Sequence, residues 1–174
     1  MKDQDYIVRN AKPNEFIKIG ALMVRVYSQL NGFPKESDQP EYYRMLTNIG
    51  EQTKKPETEL LVAVSHEGEV AGGVVYFSDM KYYGSGGSAT KEKNASGFRL
   101  LAVDSSFQGK GIGKLLTKEC IEKARSKNHD NVVIHTTKAM QTAWQMYEKF
   151  GFKRAEDLDF MQGELPVFGF RLQL

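Results

Sequence analysis

The chain has 174 residues, of which 40% are hydrophobic and 26% charged, and a formal net charge of +2. These values suit one soluble domain spanning residues 1–174, and the scattered Lys and Arg exclude a polyanion-binding stripe, so no nucleic-acid partner is expected. The single Cys120 excludes an intramolecular disulfide, no apolar run approaches the length of a bilayer span, and the N-terminus is charged rather than signal-like. The expectation is a cytoplasmic protein that engages no membrane.

In chain order, residues 6–9 read as a first strand. Asn14, after Pro13, is placed to cap a helix reaching about Leu30, with Phe16, Ile19, Leu22, Met23 and Val26 at helical spacing. Residues 31–40 form a polar turn region and 42–49 a second helix. Residues 60–64 and 70–77 read as strands joined through Glu67-Gly68, a hairpin signal. The Gly-, Ser- and charge-rich stretch 82–94 is too long and polar for a tight turn and is expected to be a mobile loop.

A strand over 95–103 leads into Gln108-Gly109-Lys110-Gly111-Ile112-Gly113. A helix follows with Ile112, Leu115, Leu116, Cys120 and Ala124 along one stripe. Residues 132–135 form a short strand. Ala143, Tyr147 and Phe150 share a helix face that Gly151 can end in a left-handed cap, and 167–172 is the last strand.

Three alternating glycines before a helix leave backbone N–H groups uncovered at the positive end of the helix dipole, a site for an anion such as a pyrophosphate. A ligand-free glycine turn is the competing reading. A P-loop needs four residues between its glycines and Ser or Thr after the lysine, where Leu115 stands. The dinucleotide fingerprint needs a third glycine where Lys114 or Leu116 stands.

Gln108, Gly111 and Gly113 instead fill the coenzyme A loop pattern of the GCN5-related N-acetyltransferases, the GNAT family. Leu101-Ala102-Val103-Asp104 before it and Tyr147-Glu148-Lys149-Phe150-Gly151-Phe152 after it also resemble that family, from about Leu60 to Phe152. The resemblance implies an α/β (α+β) fold, a mixed and mostly antiparallel sheet of six to seven strands flanked by about four helices. It implies acetyl-CoA as co-substrate, no metal, and a small-molecule or peptide amine as acceptor; a homodimer is compatible with it.

By the same resemblance, Leu101, Ala102 and Val103 hold the pantetheine arm through backbone groups, and an N–H there polarises the thioester carbonyl. Gln108, Gly109, Lys110, Gly111, Ile112, Gly113 and Lys114 hold the pyrophosphate. Tyr147 matches the tyrosine that protonates the departing thiolate, with a core aromatic as the competing reading. His135 matches the position of the family's glutamate base. A neutral-range pKa suits it, and a structural strand-end histidine is the alternative. Asp79 and Glu92 are weaker bases. Met140 stands where Asn often binds pantetheine, a contact that Gln141 or Thr137 can replace. The three histidines lie far apart with no Cys or carboxylate at metal-ligand spacing, so no metal is expected.

The resemblance also implies an acceptor pocket built from the segment between the first two helices and the segment between the last two strands, which carry Glu36, Asp38, Glu41, Glu156, Asp157, Asp159 and Glu164, acids that can attract a cationic amine or serve solubility alone. Tyr27, Phe33, Tyr42, Tyr43 and Phe160 are candidates for an aromatic lining. A non-catalytic acyl-CoA sensor of the same fold and a nucleotide-binding module are the alternative functions.

Overall fold

The computed structural model describes residues 5–174. Strand β1 (Tyr6–Asn10) leads to helices α1 (Phe16–Ser28) and α2 (Pro40–Thr47). The hairpin β2 (Thr58–Ser65) and β3 (Val70–Phe77) comes next, then β4 (Ala95–Val103), α3 (Ile112–Ser126), β5 (Asn131–Thr136) and α4 (Gln141–Phe150). The chain ends in β6 (Lys153–Arg154), β7 (Phe160–Gln162) and β8 (Leu165–Gln173). The sheet order is β1-β2-β3-β4-β5-β8-β6, with β7 paired to β8. Among the described residues only β4 and β5 pair in parallel. The sheet has eight strands; the two added to the six read along the sequence are β6 and β7, too short to carry a periodic signal.

β2 reads as a continuous apolar run because both faces are covered. Leu60, Val62 and Val64 meet α1 and α2, while Leu61 and Ala63 meet the α3 and α4 side. Ile19, Leu22, Met23 and Tyr27 fill the first side, and Ile112, Leu116, Cys120 and Ala124 the second. At about 25 cal/mol per Å² of apolar surface buried, these two layers supply the main driving force of folding.

Three local expectations differ. Asn14 does not cap α1: a 3-10 turn over Pro13–Glu15 precedes the helix, and Glu15 itself accepts from the Lys12 backbone N–H and from Arg9. Those hydrogen bonds, Arg9 first, hold the Glu15 carboxyl down at about 2. The second helix starts earlier, with Pro40 at its first turn, where a missing N–H costs nothing, and ends at Thr47.

The stretch 82–94 is not a free loop. Tyr83 and Ala89 are fully buried, Ser88 donates to the Asp157 carbonyl at 2.9 Å, and two 3-10 turns organise its ends. Buried aromatic anchoring outweighs a polar composition here.

Candidate active site

β4 and β5 pair only from Ala95 to Gly97 against Asn131 to Val133, then separate. Leu100 sits at φ +63, a region a bulky residue rarely adopts, and the β3–β4 register shifts between Gly73 and Val75. This bulge turns the rest of β4 away from β5, so the edge of β4 beyond Gly97 has no strand partner on that side. The Tyr27 hydroxyl donates to the Leu101 carbonyl there at 2.9 Å.

After β4, Asp104 closes the turn by accepting from the Ser106 N–H at 2.9 Å, which holds its carboxyl below the usual range, and Arg25 reaches its other oxygen at 3.1 Å. Gly109 and Gly111 lie at φ +78 and +77, Gly111 directly preceding α3. A Cβ at either would meet nothing within 4 Å, so backbone conformation rather than space calls for glycine. Gly113 faces inward instead. A Cβ there would touch Met146 and Val103 at 3.7 Å.

These residues form one wall of a groove of about 530 Å³, whose other wall is residues 139–143 and Met146 at the start of α4. Leu101, Ala102, Val103, Gln108, Gly109, Gly111, Ile112, Gly113 and Lys114 all line it. Lys110 does not. It is exposed, with its ammonium 5.8 Å from the Phe107 ring centroid, and it borders an outer depression beside Lys114.

The groove meets a smaller, more enclosed chamber, and Tyr27, Leu101, Met140 and Ala143 line both. Tyr147 lines the chamber, with its ring edge-on to Phe98 and Phe152 at 5.9 and 5.7 Å. Its hydroxyl makes no hydrogen bond among the described residues, and burial raises its pKa, so it stays protonated. Tyr27, Phe33, Tyr42 and Phe160 supply the expected aromatic lining. Tyr43 does not, because its hydroxyl is committed to the Pro34 carbonyl at 2.7 Å.

His135 also lines the chamber, between two partners. Nε2 lies 2.8 Å from the Leu158 carbonyl, which can only accept, so Nε2 carries the proton. Nδ1, 3.0 Å from the Tyr83 hydroxyl, is then the acceptor. Burial lowers its pKa and keeps the ring neutral. Both nitrogens are thus engaged within the protein, an arrangement that leaves no lone pair for a substrate proton.

The weaker base candidates lie elsewhere: Asp79 accepts from the Lys81 N–H, and Glu92 pairs with Arg171 at 2.8 Å. None of the loop acids expected to attract a cationic amine lines the chamber. Glu41, Asp157 and Asp159 are paired with Arg44, Arg171 and Arg154, so local ion pairing accounts for them.

One chamber residue escaped the sequence reading, and another was read in a different role. Arg99 interrupts the apolar run of β4, donates to the Tyr83 carbonyl at 3.0 Å and stacks 5.6 Å from the Tyr83 ring centroid. A lone cation in an apolar strand was the signal available. Thr137, read only as a pantetheine contact, is 3% exposed with a hydroxyl that has no hydrogen-bond partner among the described residues. Gln141, the other substitute for the missing asparagine, lines the groove but donates its amide to the Lys138 carbonyl at 2.9 Å. Among the described residues no cluster of His, Cys, Asp and Glu is arranged to hold a metal ion, and no helix is long and apolar enough to cross a membrane.

Residues 23–152 match the Acetyltransferase (GNAT) family. The chain belongs to that family. Its fold agrees with solved GNAT structures: a Kribbella flavida GCN5-related N-acetyltransferase aligns with TM-score 0.71 at 15% identity, over 99% of this chain and 100% of that one. A GNAT acetyltransferase from Staphylococcus aureus aligns with TM-score 0.70 at 16% identity, over 97% and 99%. Sequence relatives include the N-acetylaspartate synthetases of Danio rerio, 38% identical over 69 residues, and of Homo sapiens, 38% identical over 65. Those matches cover 40% and 37% of this GNAT chain but only 24% and 22% of the relatives, so the chain spans about a quarter of their length.

Proposed function

We propose that this protein transfers the acetyl group of acetyl-CoA to a primary amine by direct attack on the thioester. The observation that carries this reading is that groove and chamber meet at Leu101, so a cofactor in the one and an acceptor in the other would come together at one point. The pyrophosphate is read against the N–H groups around Gly111 and Gly113, and the pantetheine arm along the unpaired edge of β4. A Salmonella typhimurium acetyltransferase structure solved with its cofactor acetyl-CoA aligns with TM-score 0.66 at 15% identity, over 98% of this chain and 94% of that one, which fits the reading at the level of fold.

In the reaction the amine nitrogen bonds to the acetyl carbon and the C–S bond breaks. An N–H near Leu101 stabilises the oxyanion, and the Tyr147 phenol gives its proton to the departing thiolate. The nitrogen's proton leaves to solvent, and the Tyr147 phenolate takes a proton back from solvent, so the phenol is restored for the next turnover. With His135 held at both nitrogens, the acceptor enters as the free amine, and the nearby Arg99 cation favours that neutral form.

A non-catalytic acyl-CoA binder is the second reading, favoured by Met140 in place of asparagine and by a chamber lined by no carboxylate. Acetyl-CoA offered with an amine panel and read by thiol release separates the two. Release that depends on the amine supports transfer. Binding without release supports the sensor.

A further inference from the structure

We propose that the acceptor is a small amine that carries its own carboxylate, and that Arg99 binds that carboxylate. This rests on the acetyltransferase reading above and names the substrate class of the same site. Arg99 lines the chamber, yet no carboxylate among the described residues pairs with it. Every other arginine, namely Arg9, Arg25, Arg44, Arg125, Arg154 and Arg171, has an acidic partner. Its contacts, the Tyr83 carbonyl and ring, fix its position and leave its charge uncompensated.

Two further observations point to a polar, anionic occupant. A Cβ at Gly84 would lie 3.2 Å from Arg99 Nη1 and 3.5 Å from Lys55 Nζ, so a second cation, with no carboxylate partner among the described residues, stands beside the first. Two adjacent cations repel, and burial together with Arg99 lowers the Lys55 pKa. The Thr137 hydroxyl, buried in the chamber wall, has no hydrogen-bond partner among the described residues. A free amine without a carboxylate would leave this positive field uncompensated. An amino acid would offset it, its carboxylate on Arg99 and its nitrogen directed to the acyl carbon at the Leu101 junction.

Arg99 lies before Leu101 on β4, on the chamber side, whereas the glycine loop lies after it, on the groove side. The cofactor phosphates and this guanidinium are therefore at opposite ends of the path. An acceptor bound here would be oriented by a two-point contact, which converts binding into alignment.

The test uses the full chain, acetyl-CoA, and the free amino acids alanine, leucine and phenylalanine, each beside its carboxamide and its decarboxylated amine. Rates are referred to the unprotonated amine. Charge-assisted pairing predicts that kcat/KM favours the amino acids by at least about tenfold. In Arg99→Gln that preference is lost while coenzyme A affinity by calorimetry is kept, and Arg99→Lys restores part of it. Equal or better turnover of the decarboxylated amines by the wild-type chain overturns the inference and leaves the acetyltransferase reading standing, as does a preference unchanged in Arg99→Gln. Failure to bind coenzyme A, or absence of turnover with every amine, overturns that reading too.

Discussion

The Tyr27 hydroxyl donates to the Leu101 carbonyl at 2.9 Å, joining the last turn of α1 to the point on β4 where groove and chamber meet. The bond takes up a backbone carbonyl that the splayed strand β5 leaves unpaired. It also sets the peptide plane next to the N–H groups assigned to the oxyanion. Burial raises the Tyr27 pKa, so the hydroxyl remains a donor.

Tyr27→Phe should therefore cost about 1 kcal/mol of stability, the net worth of one intramolecular hydrogen bond, and lower kcat more than it weakens coenzyme A binding. Denaturant unfolding paired with steady-state kinetics checks both. A loss of stability with kcat unchanged would confine the bond to the fold.

The glycine loop offers a cleaner contrast at Gly113 than at Gly111. Aspartate at Gly111 would confound charge with strain at φ +77, whereas Gly113 has no such restriction and room for a methyl group. Gly113→Ala should keep coenzyme A affinity within about threefold, and Gly113→Asp should weaken it by more than about tenfold, since a carboxylate there opposes an anion at a helix N-terminus. Calorimetry on both variants decides; equal affinities would remove the phosphate from this loop.

How much was legible followed from how local each interaction is. The glycine loop, the helix stripe Ile112-Leu116-Cys120 and the hairpin at Gly68 are short-range patterns, and each stands where its spacing predicts. The chamber is not local. Arg99 meets Tyr83 across 16 residues, and Tyr83 meets His135 across 52. The order of β4 beside β5, with its splay after Gly97, is what brings them together. The stretch 82–94 misread for the same reason: its buried Tyr83 packs on Phe77, and its middle is held by Asp157, partners that composition does not reveal.

His135 should act on stability rather than as the base. Its folded pKa is depressed by burial, so the unfolded chain takes up a proton first as pH falls below about 6.5. Stability should then drop as pH falls below about 6.5, beginning above the range where ordinary carboxylates titrate. A His135→Gln variant should show a shallower slope than wild type over that window, His129 supplying part of what remains, since burial also lowers its pKa. Thermal melts across pH test this, and kcat/KM should show no limb that His135→Gln removes.

Tyr147→Phe tests the proton donor. The phenol makes no hydrogen bond among the described residues, and its ring packs on Phe98 and Phe152, contacts that phenylalanine retains. Folding stability should therefore stay within about 0.5 kcal/mol, the range of changes that disturb no packing or network. Burial raises the phenol's pKa, which keeps the proton in place before reaction but also makes the phenol a weaker acid, so the shift itself does not argue for donation. General acid catalysis is typically worth roughly 10² to 10⁴ in rate, so kcat should fall at least about tenfold even if water partly replaces the hydroxyl. Acetyl-CoA affinity should hold. Steady-state kinetics at saturating amine, with a thermal melt on each protein, separates the outcomes: wild-type kcat in the variant would return Tyr147 to a packing role against Phe98 and leave the thiolate to be protonated by water.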